Sequence, residues 1–273
     1  MIEYSSSLNF NNYLVKIFRL KEEIMYQGQI RVGRCTYSGG SRSDPEYEGF
    51  KNILVLTASS PYASLSPYCL KDSQGMLMEN LWQFAKVYET VPQTTCYYSR
   101  YDKRVIWKWP SETHAILKPD GSYDLTPEYV RWRHAGMNNP YAVRYPVGFN
   151  HRGKCLFALK DDENGNIIPK RLNYIEGRKE IYIPLYAGLA RVQPQYAQLK
   201  ERLDRGEKLN IVEVDGPHQE SLNYYKEKYG VGDDFIVNNT MLATPENLDI
   251  MLNDSTHNFG HGYVLAGSLM GIY

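Results

Sequence analysis

The spacing Glu79-x-x-x-Gln83-x-x-Lys86 lines up a carboxylate, an amide and an ammonium within the run Met76-Leu77-Met78-Glu79-Asn80-Leu81-Trp82-Gln83-Phe84-Ala85-Lys86-Val87-Tyr88. These groups can do chemistry. A carboxylate can stabilise a developing cation, and a nearby ammonium can keep it ionised or meet a phosphate. At about 100° per residue, Leu77, Leu81, Phe84 and Tyr88 fall on one face, and Glu79, Trp82, Gln83 and Lys86 on the other. The first face reads as core. The second gathers polar groups around an indole, as a ligand-lining face would. The competing reading is a solvated face, with i,i+4 and i,i+3 pairs and Trp82 over the Lys86 stem.

Other segments add candidates. Pro61-Tyr62-Ala63-Ser64-Leu65-Ser66-Pro67-Tyr68 is dense in turn formers, hydroxyls and rings, and Gly75 marks the approach to the helix, so Ser66 and Tyr68 are candidate ligand contacts. Near the C-terminus, Gly260-His261-Gly262 precedes an apolar helix over 264–270, whose first amides could bind an anionic oxygen; alternatively, the glycines only permit tight packing. Asp254 can position water or stabilise a cation, or cap a turn. His257 and His261 are four apart, but the glycines disfavour the continuous helix that shared metal ligation needs, so neither metal nor cofactor is expected. Arg178 can hold a phosphate bidentately or pair with a carboxylate. Between Tyr97 and His114, basic residues interleave with rings, which fits a single-strand platform or a strand with Trp107 and Trp109 on one face. No nucleophile elbow or Cys-His protease motif is present.

The elements that must position these groups are mixed. Strands are expected at Tyr13 to Leu20, Gln29 to Tyr37, Ile53 to Ala58, Arg104 to Trp109, Lys154 to Leu159 and Leu209 to Val214, with Ile53-Leu54-Val55-Leu56 apolar on both faces like a central strand. Helices are expected over 76–88, after the caps Thr126-Pro127-Glu128 and Thr244-Pro245-Glu246, over 175–190 with a disturbance at Pro184, and over 195–205 closed by Gly206. Gly136 is expected to stop the helix that begins at Pro127. Strand and helix do not alternate regularly, which predicts an α+β fold in one domain over 1–273, strand-rich in 1–60.

With 31 Lys+Arg against 31 Asp+Glu in 273 residues, no global field drives the chain onto nucleic acid or acidic membranes, so any such contact needs a local patch. Four scattered cysteines without C-x-x-C spacing argue against structural zinc and a disulfide framework. Neither a secretory leader nor a membrane span is visible, and a cytoplasmic location is expected. Tyrosine is abundant, at 24 against 8 Phe, which suits polar ring ligands or wet interfaces.

Taken together, Leu65-Ser66-Pro67-Tyr68, Gly75 and Glu79-x-x-x-Gln83-x-x-Lys86 resemble the signature of the NADAR superfamily: Leu/Phe-Ser-Asn-aromatic, a glycine turn, then Glu-x-x-x-Gln-x-x-Lys on a helix. The end of the chain, with Asp254 upstream of Leu265 and Leu269-Met270, is similar to that superfamily's closing segment. Pro67 stands where the pattern has Asn, and Asn80 where it has His. The resemblance implies a helix-rich α+β domain that handles ADP-ribose-like ligands and cleaves N-glycosidic bonds, with an ADP-ribosylated base, nucleoside or nucleic acid as substrate. Carried over by position, it implies Glu79 as catalytic acid with Lys86 and Asp254 in the catalytic set. Ser66, Tyr68, Trp82, Gln83, Arg178, Gly260, His261 and Gly262 are then the candidate substrate contacts. A non-catalytic binding module for ADP-ribose, a nucleotide or a single strand, and a nucleobase-modifying enzyme sharing the fold, remain alternatives.

Overall fold

The computed structural model describes residues 28–56, 60–162 and 164–273. The strand expected at Tyr13 to Leu20 lies outside them, as do the last two residues of the strand expected at Ile53 to Ala58. The fold is α+β, built on a four-stranded sheet in the order Thr240–Leu242, Gln29–Arg34, Lys208–Glu213, Lys51–Leu54. The central pair is parallel, with Ile30 beside Leu209 and Val32 beside Ile211. Lys51–Leu54 joins in parallel at one edge, and Thr240–Leu242 antiparallel at the other.

Ile53-Leu54-Val55-Leu56 is therefore an edge strand, not the central one expected. Ile53 and Val55 are buried on the one face they share while Leu54 and Leu56 are half-buried, and an apolar run does not say which strands flank it. The expected strand over 29–37 breaks at Cys35 into Gln29–Arg34 and Thr36–Ser38.

The caps form as the sequence predicts. Thr126 Oγ1 accepts the Tyr129 amide at 3.3 Å and Thr244 Oγ1 the Asn247 amide at 3.1 Å, each ahead of a proline that has no N–H to lose. Gly136 does not stop its helix, which runs Pro127–Met137; the Phe84 ring lies where a Cβ at 136 would be. The helical stretch after Tyr174 carries a π-turn at Arg178–Tyr182 before Ile183–Arg191, consistent with Pro184 lacking a donor and crowding the carbonyl four residues back.

Helix 76–88 is shorter than expected. It spans Met78–Gln83, and Lys86–Val87 is already extended, paired antiparallel with Phe157–Ala158. The β-favouring run that follows, Val87-Tyr88-Glu89-Thr90-Val91, competes with the helical pattern and wins once a strand partner is present. This segment is a seam between two apolar cores. Met78, Trp82 and Ala85 pack with the sheet and the helices Ile183–Arg191 and His261–Leu269, while Phe84, Val87 and Tyr88 pack with Trp107, Tyr129 and Trp132. Among the described residues, no helix is long and apolar enough to cross a membrane.

Candidate functional site

A cavity of about 1040 Å³ opens at this seam, beyond the C-terminal ends of the parallel strands Lys51–Leu54 and Lys208–Glu213. That end of a parallel strand pair is where α/β architectures commonly place ligands. Its walls come from the Ser66–Tyr68 loop, the Met78–Gln83 helix, the loop that carries Arg144, Tyr145 and Phe149, the acids after Val212, and the approach to the last helix. The volume is at the upper end for small-molecule sites and leaves room for more than one ring system.

On the first wall, Glu79, Gln83 and Lys86 form a chain of polar contacts. Lys86 Nζ donates to Gln83 Oε1 at 2.8 Å, and Gln83 Nε2 donates to Glu79 Oε1 at 3.0 Å. The ammonium at one end and the carboxylate at the other fix which way the amide points. Trp82 completes the wall, with Lys86 4.7 Å from its ring and Tyr182 5.2 Å away, centroid to centroid. Glu79 is 7% exposed. Its second carboxylate oxygen has no protein donor among the described residues, and its residue borders the cavity. Burial pushes the Glu79 carboxyl up, against the opposing Gln83 hydrogen bond and the Lys86 and Arg144 charges. Burial likewise pulls the Lys86 ammonium down.

The loop before this helix is held in place by backbone contacts. The Glu79 amide donates to Pro67 O at 3.0 Å, and Tyr186 Oη donates to Leu65 O at 2.7 Å. Ser66 Oγ accepts the Tyr68 amide at 3.3 Å, which leaves the hydroxyl proton available to a ligand. Asn80, standing where the NADAR pattern has His, is fully buried and fully satisfied. It donates to Asn139 O and Tyr141 O and accepts from the Val143 amide, thereby setting the loop that brings Arg144 and Tyr145 to the cavity.

The second wall differs from expectation. The last helix begins at His261, and the Gly262 amide donates not to an external anion but to Glu213 Oε1 at 2.7 Å. Glu213 Oε2 lies 3.0 Å from His261 Nδ1, and His261 Nε2 lies 2.9 Å from Val55 O. With an acceptor at each ring nitrogen, the doubly protonated imidazolium satisfies both contacts. Burial opposes that charge, but Glu213 and the Val55 carbonyl outweigh it and the net shift is upward. Gly260 and Gly262 are glycines because of the same carboxylate: a Cβ at 262 would stand 2.7 Å from Glu213 Oε1, and one at 260 closer still. The phosphate-ready helix start is thus filled by a side chain of the protein itself.

Two further candidates are spent on structure. Arg178 borders the cavity, yet its Nη atoms donate to the carbonyls of Leu252, Asp254 and His257, closing the end of the Pro245–Asn253 helix. Asp254 does not border the cavity. Its carboxylate is fully buried and accepts from Tyr224 at 2.6 Å, Tyr225, Tyr229 and Lys228, with His257 Nδ1 at 2.6 Å. Burial alone would raise its pKa, but these hydrogen bonds prevail and hold it well below the ordinary carboxylate range. The His257 and His261 rings bond to different acids, so they do not converge on one ion.

Asp215 and Arg144 are the residues that sequence reasoning missed. Both border the cavity, 3.4 Å apart, and Asn258 Nδ2 donates to the other Asp215 oxygen at 3.0 Å. A signal existed for Asp215: acids alternate out of the apolar run Ile211-Val212-Glu213-Val214-Asp215 at a strand's C-terminal end. Nothing local marks Arg144. Compared with protein-family models, with curated proteins and with solved structures, the chain matches none.

Proposed function

We propose that the protein is an N-glycosidase-like hydrolase of the NADAR kind, which releases an ADP-ribose-like group from a base or nucleoside, with the seam cavity as its active site. The observation that carries this reading is a buried Glu79 with one oxygen unpaired among the described residues, lining a cavity that also presents Arg42, Arg144 and Arg152 and the rings of Tyr68, Trp82, Tyr145, Phe149 and Phe157. Guanidinium groups suit phosphates, and rings suit a base and the apolar face of a ribose. The volume suits a dinucleotide-sized ligand.

The chemistry follows from the charges. As the N-glycosidic bond breaks, its electron pair goes to the base nitrogen and cationic character builds on the ribose. A carboxyl raised by burial can hand its proton to that nitrogen and then face the cation as a carboxylate. Lys86 acts through Gln83 to hold Glu79 in place. Asp215, tied to Arg144 and Asn258, stands as the second acid in place of Asp254: it orients the water whose oxygen bonds to the ribose and takes the proton that this water releases.

Glu79→Gln tests the reading. It keeps size and hydrogen bonding but removes both proton and charge, so kcat for release of ADP-ribose from a base-modified nucleoside should fall about 10²–10³-fold or more while ADP-ribose affinity persists. Asp254→Asn should leave kcat per folded molecule close to wild type. Unchanged turnover in Glu79→Gln would remove Glu79 from the mechanism. Wild-type protein that binds ADP-ribose but turns over no modified base would instead favour the binding module.

A further inference from the structure

Away from the cavity, the hairpin formed by Thr94–Tyr97 and Val105–Trp109 carries three rings that lie largely in solvent. Tyr101 is 85% exposed, Tyr98 54% and Tyr97 49%. Their phenols have no hydrogen bond among the described residues. Each ring has a cation beside it: Arg100 lies 5.9 Å from the Tyr101 centroid, Lys103 5.6 Å from Tyr97, and Arg104 4.6 Å from Tyr98. From Tyr97 to Lys108 the chain holds four cations, Arg100, Lys103, Arg104 and Lys108, against the single acid Asp102. On a protein with balanced charge, this is the local basic patch that a polyanion would require.

The hairpin is fastened to the rim of the cavity. Cys96 Sγ donates to Tyr145 O at 3.3 Å, Trp107 Nε1 to Pro146 O at 3.2 Å, and Asn139 Nδ2 to Ile106 O at 2.8 Å. Tyr98 packs against Tyr141 at 6.0 Å, and Arg104 lies 5.4 Å from the same ring. Rings and cations therefore continue from the hairpin through Tyr141 to Arg144 and Tyr145, which border the cavity.

We propose that this hairpin is a platform for single-stranded nucleic acid, oriented toward the cavity, on which bases stack on Tyr97, Tyr98 and Tyr101 and phosphates meet Arg100, Lys103 and Lys108. Flat exposed rings need splayed bases, which a duplex hides within its stack, and an acidic peptide would use the cations but not the rings. The orientation toward the cavity gains its meaning from the nucleotide-handling reading above and rests on it. Binding at the hairpin can be measured apart from it.

The test is fluorescence anisotropy of the full chain with a labelled, unmodified single-stranded 20-mer, as deoxyribose and ribose versions, with the matching duplex and polyglutamate as competitors. Binding of either single strand is expected, weakening about 20-fold between 50 and 200 mM salt for three phosphate contacts. The triple variant Tyr97→Ala/Tyr98→Ala/Tyr101→Ala should bind at least tenfold more weakly, with its unfolding temperature and ADP-ribose affinity unchanged; Lys103→Glu alone should weaken binding and flatten the salt slope. Failure of both single strands to bind would overturn the proposal, as would wild-type binding by the folded triple variant or competition by duplex or polyglutamate as effective as by single strand. If the strands bind at the hairpin but ADP-ribose does not bind the cavity, the platform stands and the reading of the cavity falls.

Discussion

Two buried glutamates border one cavity, and they are satisfied in opposite ways. Glu213, 1% exposed, gives one oxygen to the Gly262 amide and the other to His261, and two glycines make room for it. Glu79, nearly as buried, accepts a single hydrogen bond from Gln83, and its other oxygen has no protein donor. A buried carboxylate costs stability unless it is paired, so the first acid holds the fold together while the second holds a free valence at the fold's expense. Residue type and burial do not separate these roles. Hydrogen-bond accounting does.

The largest effect that would break this contrast is on stability. Glu213→Ala leaves the His261 ring and the Gly262 amide without their anion, and should cost about 3–5 kcal/mol in denaturant unfolding. Glu79→Gln removes a buried acid whose second oxygen is unpaired and keeps the shape and the acceptor for Gln83, so its stability should match or exceed that of wild type. If Glu79→Gln destabilises as much as Glu213→Ala, Glu79 is a structural acid and the distinction between the walls disappears.

The same accounting explains what could be read from the sequence. The α+β class, the capped helices and the set Glu79, Gln83 and Lys86 around Trp82 follow from local patterns that persist in the fold: a Thr-Pro-Glu start, a polar stripe, a glycine with positive φ at Gly75. The Glu79-Gln83 contact is an i,i+4 pair, so its geometry is present in the spacing. Asp254, Arg178 and the Gly260-His261-Gly262 turn also carry the residue types of a ligand site. Their partners, however, are Tyr224, the carbonyls after Met251, and Glu213, all set by tertiary contacts that spacing does not encode. Arg144 and Asp215 reach the cavity for the converse reason: Asn80 holds the loop of one, and a parallel strand end delivers the other. The end of the Met78–Gln83 helix was hidden likewise, because Lys86–Val87 becomes a strand only when Phe157–Ala158 pairs with it.

Two histidines carry the contrast into pH dependence. His261 has an acceptor at each nitrogen and is shifted upward; His114, fully buried, has no hydrogen-bond partner at either nitrogen, and burial pushes it down to about 4, with Glu112 3.7 Å away and only partly opposing. Unfolded, both titrate near about 6.5. Below that pH the unfolded chain protonates at His114 before the folded one does, so stability falls as pH drops from about 6.5 toward 4, by about 3 kcal/mol in all. His261 works on the other side: its contribution is fully present below about 6.5 and is lost as pH rises through its folded value. Urea unfolding of wild type and His114→Phe across pH 7 to 4 isolates the first term, because the carboxylates titrate in both. An unchanged acid limb in His114→Phe would mean that another group causes the loss.

The smallest effect expected sharpens the comparison without touching either glutamate. In an exposed helix interior, Gly→Ala stabilises by about 1 kcal/mol. At Gly136 the new Cβ would fall within the Phe84 ring, which packs 4.5 Å from Trp132 and 4.9 Å from Trp107, centroid to centroid, and cannot yield without moving them. Overpacking of this kind costs about 1–3 kcal/mol, so Gly136→Ala should be net destabilising by up to about 2 kcal/mol. Phe84 directly follows Gln83, and Arg133 of the same helix as Gly136 donates to the Phe84 carbonyl at 3.1 Å. Displacing the ring therefore displaces the amide that holds Glu79 in place. If Glu79 depends on that orientation, Gly136→Ala lowers kcat several-fold while Glu213, anchored from the other core, keeps its contacts; a variant more stable than wild type with unchanged kcat would show that the Glu79 wall is not positioned through Phe84.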